Sequence, residues 1–184
     1  MRIEETINDI VKKACNLFKG QYVALILGTL VAFVGMIFII TIPPLVFGIF
    51  LMCVKLVKGE KIEISDVFKG FNYFFRSWAL IVTCFFAILV GLVFLILPGL
   101  LLIVLFQYAV AIALLEDRGA ISSIKRSYTL GKENFTFSLV FLILMMVLDG
   151  IGSYTRIGVL ITTPFTMLCT VLAAQKLAAK SKTK

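Results

Sequence analysis

The sequence predicts an all-α integral membrane protein with six transmembrane helices in three hairpins, each hairpin preceded by an amphipathic interfacial helix. Three observations predict it. The chain is 61% apolar and only 15% charged, with a mean hydropathy of +1.08, against about 45–50% apolar content in soluble domains. Apolar runs long enough to cross about 30 Å of hydrocarbon begin at Tyr22, Trp78 and Ile157, and shorter ones follow at Leu45, Leu100 and Phe135. Of the 18 basic residues, all but Arg156 fall on one side when those runs fold as hairpins. The positive-inside tendency then places both termini in the cytoplasm and the chain in the cell membrane. No polar stretch is long enough to build a separate core, so residues 1–184 read as a single membrane domain without a soluble catalytic domain.

The first segment, from Met1 to Gly20, is amphipathic and of mixed charge. It lacks the apolar core and small-residue cleavage site of a signal peptide, so the chain is expected to keep it. Ile7, Ile10, Val11, Ala14, Leu17 and Phe18 form one apolar stripe, with Asn8, Asp9, Lys12, Lys13, Asn16 and Lys19 opposite. Such a helix suits the membrane interface, with its apolar face in the acyl boundary and its cations at headgroups.

The first hairpin is expected to turn at Thr41-Ile42-Pro43-Pro44 and the second at Leu97-Pro98-Gly99, where Pro removes a donor and Gly accepts unusual dihedrals. The third turns through Gly150 to Arg156. Several second members are short: Pro43 to Val57 spans only about 22 Å at ~1.5 Å per residue. We read it as a full span whose Lys55 snorkels to the interface.

Ile7-Asn8-Asp9-Ile10-Val11-Lys12 recurs 57 residues later as Ile64-Ser65-Asp66-Val67-Phe68-Lys69, and again after 57 as Ile121-Ser122-Ser123-Ile124-Lys125-Arg126. Each copy opens a segment leading into a hairpin, and Asn8, Ser65 and Ser122 are expected N-caps. The second copy continues the stripe with Ile64, Val67, Phe68, Phe71, Phe74 and Phe75; in the third, Lys125 interrupts it and Gly131 replaces a large residue. The expectation is a triplication with units 1–59, 60–118 and 119–184. The plain alternative is that any interfacial helix ahead of a span carries an Ile, a cap residue and a Lys.

Chemistry-bearing residues are sparse. The chain has no His, and its four cysteines, Cys15, Cys53, Cys84 and Cys169, are scattered, so they read as small apolar fillers and no metal or cofactor site is expected. The net charge of +8 sits beside apolar spans rather than in a basic groove with stacking aromatics, which points to anionic phospholipid and away from nucleic acid. The lipid-headgroup candidates are Lys12, Lys13, Lys19, Lys69, Arg76, Lys125, Arg126 and Lys132.

Within the spans, the polar candidates are Gln107, Asp149, Thr162, Thr163 and Thr166. Asp149 near the outer end of the fifth span reads as a clamp to Arg156 rather than a proton site. Gln107 needs another helix to satisfy its amide. The threonines beside Pro164 could line a path or a hinge. An enzyme would have to use Glu116, Asp117, Lys125, Arg126, Ser127 and Lys132 at the cytoplasmic surface, where a solvated turn and headgroup contacts are the simpler reading. The expectation is therefore no enzyme.

Leu97-Pro98-Gly99, Tyr108, Glu116-Asp117 and the run Ile124-Lys125-Arg126-Ser127-Tyr128-Thr129-Leu130-Gly131-Lys132 together resemble a superfamily of prokaryotic multi-pass membrane proteins. It includes uncharacterised proteins and the membrane domain of glycerophosphodiester phosphodiesterases. The resemblance runs over about residues 64–148 and implies a six-span fold without a settled activity, since the phosphodiesterase catalytic domain has no counterpart here. Two functions follow as expectations. One is a non-enzymatic module engaging anionic lipid or a membrane partner through its basic interfacial helices. The other is a small transporter or channel, a homo-oligomer among its forms, with a path lined by the Thr-rich last span.

Overall fold

The computed structural model describes residues 3–94, 96–155 and 158–182. All regular structure among them is helical: α1 (Ile3–Gly35), α2 (Ile42–Val57), α3 (Phe74–Phe94), α4 (Ile96–Phe106), α5 (Ala109–Leu115), α6 (Ala120–Glu133), α7 (Phe135–Tyr154) and α8 (Gly158–Lys182), with 3-10 segments at Ile39–Thr41 and Ile64–Tyr73. Six stretches are long and apolar enough to cross a membrane. They are α1, α2 with its preceding turn, α3 with the segment before it, α4 with α5, α7, and α8. The chain is an all-α membrane protein on that ground.

Burial sorts these helices into two layers. The apolar window of α2 is 61% buried, whereas that of α3 is 11% buried. The inner helices α2, α5 and α8 pack on one another, while α1 lies along α2, α3 along α4 and α7 along α8. Among membrane helices small residues permit close approach. A Cβ on Gly28 would lie 2.7 Å from Met52 Cε, and one on Gly35 2.8 Å from Leu45 Cδ1, so α1 sits tightly on α2.

Each segment ahead of an outer helix packs on the inner helix of the preceding pair. The Ile64–Tyr73 segment lies along α2, α6 lies along α4 and α5, and the first half of α1 lies on α8. That last contact closes the ring between the two ends of the chain, with Lys176 Nζ 2.8 Å from Asp9 Oδ2 and Phe18 edge-on to Phe165 at 5.8 Å. Most of the apolar stripe of the first segment, expected in the acyl boundary, instead packs on protein, with Ile7, Leu17 and Phe18 partly buried against the core. Ile10 and Ala14 are buried.

Helix α1 breaks at Gln21, where the backbone leaves helical geometry. The Gln21 amide holds the break against the chain after α2: its Oε1 accepts the Ile62 N–H at 2.7 Å and its Nε2 donates to the Glu60 carbonyl at 3.3 Å.

The turns differ from those expected. Pro43 and Pro44 begin α2, and Leu97-Pro98-Gly99 lies inside the first turn of α4. Proline is tolerated there because first-turn N–H groups have no intrahelical partner. Gly150 to Ser153 belong to α7, which runs on to Tyr154.

The expected caps differ too. Asn8 lies well inside α1, and Gly119 precedes α6, leaving Ser122 as its third residue. Ahead of the Ile64–Tyr73 segment stands Glu63, whose side chain accepts the Asp66 N–H and whose own N–H donates to Asp66 Oδ2 at 2.9 Å, so a capping box of Glu63 and Asp66 starts the segment rather than Ser65. Because that segment is 3-10, with three residues per turn, Val67 and Gly70 align on the face against α2. The rest of the expected stripe divides: Ile64, Phe68, Phe71 and Phe75 are exposed.

The turn between α1 and α2 lies beside the start of α3, because Trp78 Nε1 donates to the Ile40 carbonyl at 3.1 Å. Phe94, the last residue of α3, lies about 24 Å from Trp78 along the helix axis, so the first two hairpins, expected to turn on one face, turn at opposite ends of α3.

Candidate functional site

The basic candidates separate into two groups. Lys12 and Lys19 are exposed on the side of α1 opposite Ile10 and Ala14, Lys13 is exposed on its flank, and Lys125 and Lys132 are exposed on α6. The remaining three are drawn into ion pairs. Lys69 Nζ stands 2.5 Å from Asp66 Oδ1. Arg76 contacts Asp117 at 2.7 Å and donates to the Ala113 carbonyl at 2.5 Å, with its guanidinium 5.6 Å from the Tyr73 ring centroid. Arg126 donates to Ser181 Oγ at 3.2 Å and faces Glu116 Oε1 at 3.9 Å.

Asp66 is the structural feature that sequence reasoning passed over. It is 1% exposed, with Lys55 Nζ at 2.8 Å on the same oxygen that Lys69 contacts. Two ammonium groups and the Glu63 N–H compensate the buried carboxylate, which would otherwise be costly. Lys55 thus ties α2 to the following segment instead of snorkelling. The cue was present in the sequence as an acid at the third position of the repeated Ile-x-Asp run.

Backbone contact completes the junction. A side chain on Gly70 would collide with the Pro44 carbonyl and the Gly48 backbone, and one on Gly48 with the Val67 carbonyl. At the α4–α6 contact, Ser127 Oγ donates to the Leu105 carbonyl at 2.7 Å and a Cβ on Gly131 would lie 3.1 Å from Leu105 Cα.

The intramembrane polar candidates are brought together only in part. Gln107 sits at the break between α4 and α5 and donates to the Val104 and Ser138 carbonyls, each at 2.9 Å. Beside it the Tyr108 hydroxyl reaches Ser138 Oγ at 3.2 Å, so this cluster joins the α4–α5 break to α7. The second cluster lies between α7 and α8, where Thr166 Oγ1 donates to Asp149 Oδ1 at 3.1 Å. Arg156, the expected partner of Asp149, lies outside the described residues. Thr162 bonds back to the Gly158 carbonyl at 3.1 Å and packs against Gly152, while Thr163 is half-buried and offers its carbonyl to Thr166. Each of these contacts joins helices or closes a helical turn.

Several cavities open on the surface. One of about 590 Å³ lies at the α1 break, beside Gln21, Ile62, Glu63 and Ser65. A second, of about 290 Å³, lies among Lys58, Glu116 and Gln175 at the ends of α2, α5 and α8. A third, of about 450 Å³, lies between Phe106 and α6, lined by Ile124, Lys125, Tyr128 and Thr129. Among the described residues no cluster of His, Cys, Asp and Glu is placed to hold a metal, and the four cysteines are unpaired.

No curated protein and no solved structure matches the chain significantly. A family model described as a domain of unknown function, DUF7847, matches residues 6–183. That match reaches every helix described above, all but the first three residues of α1 included, and the chain belongs to this family.

Proposed function

We propose that the chain is a non-enzymatic multi-pass module of the cell membrane that engages anionic lipid through exposed lysines on its entry segments. One observation carries the reading: Lys12, Lys13 and Lys19 stand exposed on α1, Lys12 and Lys19 opposite the buried Ile10 and Ala14. The apolar side of α1 anchors the helix on α8, which leaves the basic side for headgroups. Near an anionic surface each such lysine is worth about 1 kcal/mol. The lysine-rich first segment and the last helix meet at Lys176 and Asp9, and their basic residues are the ground for proposing cytoplasmic termini.

The threefold repeat belongs to the same proposal. Gly48 and Gly70 meet at the second entry segment, and Leu105 and Ser127 meet at the third. Both members of the second pair lie 57 residues beyond those of the first. A shared ancestry of units 1–59, 60–118 and 119–184, each a hairpin with its entry segment, accounts for that coincidence of register.

The test uses spin-labelled lipids in reconstituted bilayers. Changing Lys12, Lys13, Lys19, Lys125 and Lys132 to Gln should abolish most of the preference for phosphatidylglycerol over phosphatidylcholine. An undiminished preference would sink the reading. Lys69 and Arg126 are kept, because removing them uncovers Asp66 and Glu116.

A transporter or channel is the second reading, favoured by the half-buried Asp149 facing Thr166, two residues from Pro164. Liposome flux abolished by Asp149→Asn and Thr163→Val would support it. The use of Gln107, Thr162 and Thr166 in contacts between helices or turns weighs toward the lipid module.

A further inference from the structure

We propose that the groove between Phe106 and α6 is a discrete site for one anionic phospholipid, with the Lys125 ammonium on the phosphodiester and an acyl chain against Phe106 and Ile124. The proposal rests on the lipid-engaging reading and assigns it a place.

The groove follows from how α6 docks. Ser123, Ser127, Leu130 and Gly131 are buried on the inward side of the helix, with Ser127 bonded to the Leu105 carbonyl. That rotation turns Ile124, Lys125 and Tyr128 toward the flank of Phe106, since residues three and four apart share a helix face. The run from Lys125 to Lys132 therefore has two jobs: Ser127, Leu130 and Gly131 hold the helix down, and Lys125, Tyr128 and Thr129 line the cavity of about 450 Å³.

Charge selects this cavity among those described. Its lining carries one cation and no carboxylate. The larger cavity at the α1 break includes Glu63, and the one at Lys58 includes Glu116. Two further apolar cavities, beside Trp78 and beside Leu80, include no charged side chain. Arg126, next along α6, is held at Glu116 and Ser181, so Lys125 alone supplies the positive charge at the groove. Phe106, Ile124 and the Tyr128 ring form an apolar wall beside that cation, the pairing an acyl chain and its headgroup require. A soluble anion would use the lysine and leave the wall uncovered.

The test is native mass spectrometry of the full chain titrated with phosphatidylglycerol, with phosphatidylcholine as reference. Lys125→Met should weaken the first phosphatidylglycerol roughly fivefold, and Lys125→Arg should restore it. Lys12→Met, Lys13→Met and Lys19→Met combined should leave the first lipid bound and weaken later ones. Thermal denaturation of each variant checks folding. If Lys125→Met changes nothing while the α1 variant loses the first lipid, the groove is wrong and the general lipid reading stands. If the unaltered chain does not prefer phosphatidylglycerol, both fail. Displacement of the lipid by excess glycerol phosphate would overturn the assignment to a lipid.

Discussion

Gly70 and Gly48 bring two backbones into direct contact, and neither position has room for a Cβ. The contact fixes the depth at which the Ile64–Tyr73 segment lies on α2. It also sets the geometry in which Lys55 reaches Asp66.

Gly70→Ala or Gly48→Ala should therefore cost about 1–3 kcal/mol, the range for overpacking a close contact, read as a lower denaturation midpoint in detergent. Gly150→Ala, where nothing lies within 4 Å of the added methyl, should be neutral or stabilising by up to ~1 kcal/mol. Equal effects at the three sites would contradict the packing argument.

The two lysines on Asp66 should differ. Lys55 is 23% exposed and Lys69 is 51% exposed. Lys55→Met leaves a buried carboxylate short of one partner and should cost roughly 3 kcal/mol, whereas Lys69→Met should cost about 0–1 kcal/mol. Adding Asp66→Asn to Lys55→Met should recover part of the loss. A double variant less stable than Lys55→Met alone would argue against the pair.

Ser127→Ala should destabilise by about 1–2 kcal/mol, because the Leu105 carbonyl then lacks its buried donor. Ser122, exposed on α6, should tolerate the same change within ~0.5 kcal/mol. Detergent unfolding of the two variants side by side separates docking from capping.

Thr166→Val removes the hydroxyl that joins α8 to Asp149, and interhelical bonds of this kind average about 0.6 kcal/mol, up to ~1.7. Asp149→Asn keeps an acceptor for the same hydroxyl and should be milder in the same unfolding assay. The reverse order would mean that the carboxylate charge itself is needed.

The membrane class was legible from composition and run length, because apolar spans need no tertiary information to be recognised. Turn positions were less so: Pro43, Pro44 and Pro98 carry the sequence signal of a helix end, yet each sits in a first turn where its missing N–H costs nothing. The Ile64–Tyr73 segment carried a pattern compatible with an α-helix, but contact with α2 selects the 3-10 form and puts Asp66 inside. No local signal distinguishes a lysine that snorkels from one that, like Lys55, meets a buried acid 11 residues on. Among the basic candidates, charge alone could not separate Lys12, Lys13 and Lys19 from Lys69 and Arg126, since their partners come from tertiary structure. Gln107 was readable because an amide in a span must find another helix, here through Ser138.

The most direct test of the lipid-engaging account is native mass spectrometry of the protein released from membranes with no lipid added. The account predicts a monomer that retains anionic phospholipid, and loss of that lipid when Lys12, Lys13, Lys19, Lys125 and Lys132 are changed to Gln. A lipid-poor oligomer of defined size, unaltered by those substitutions, would contradict it.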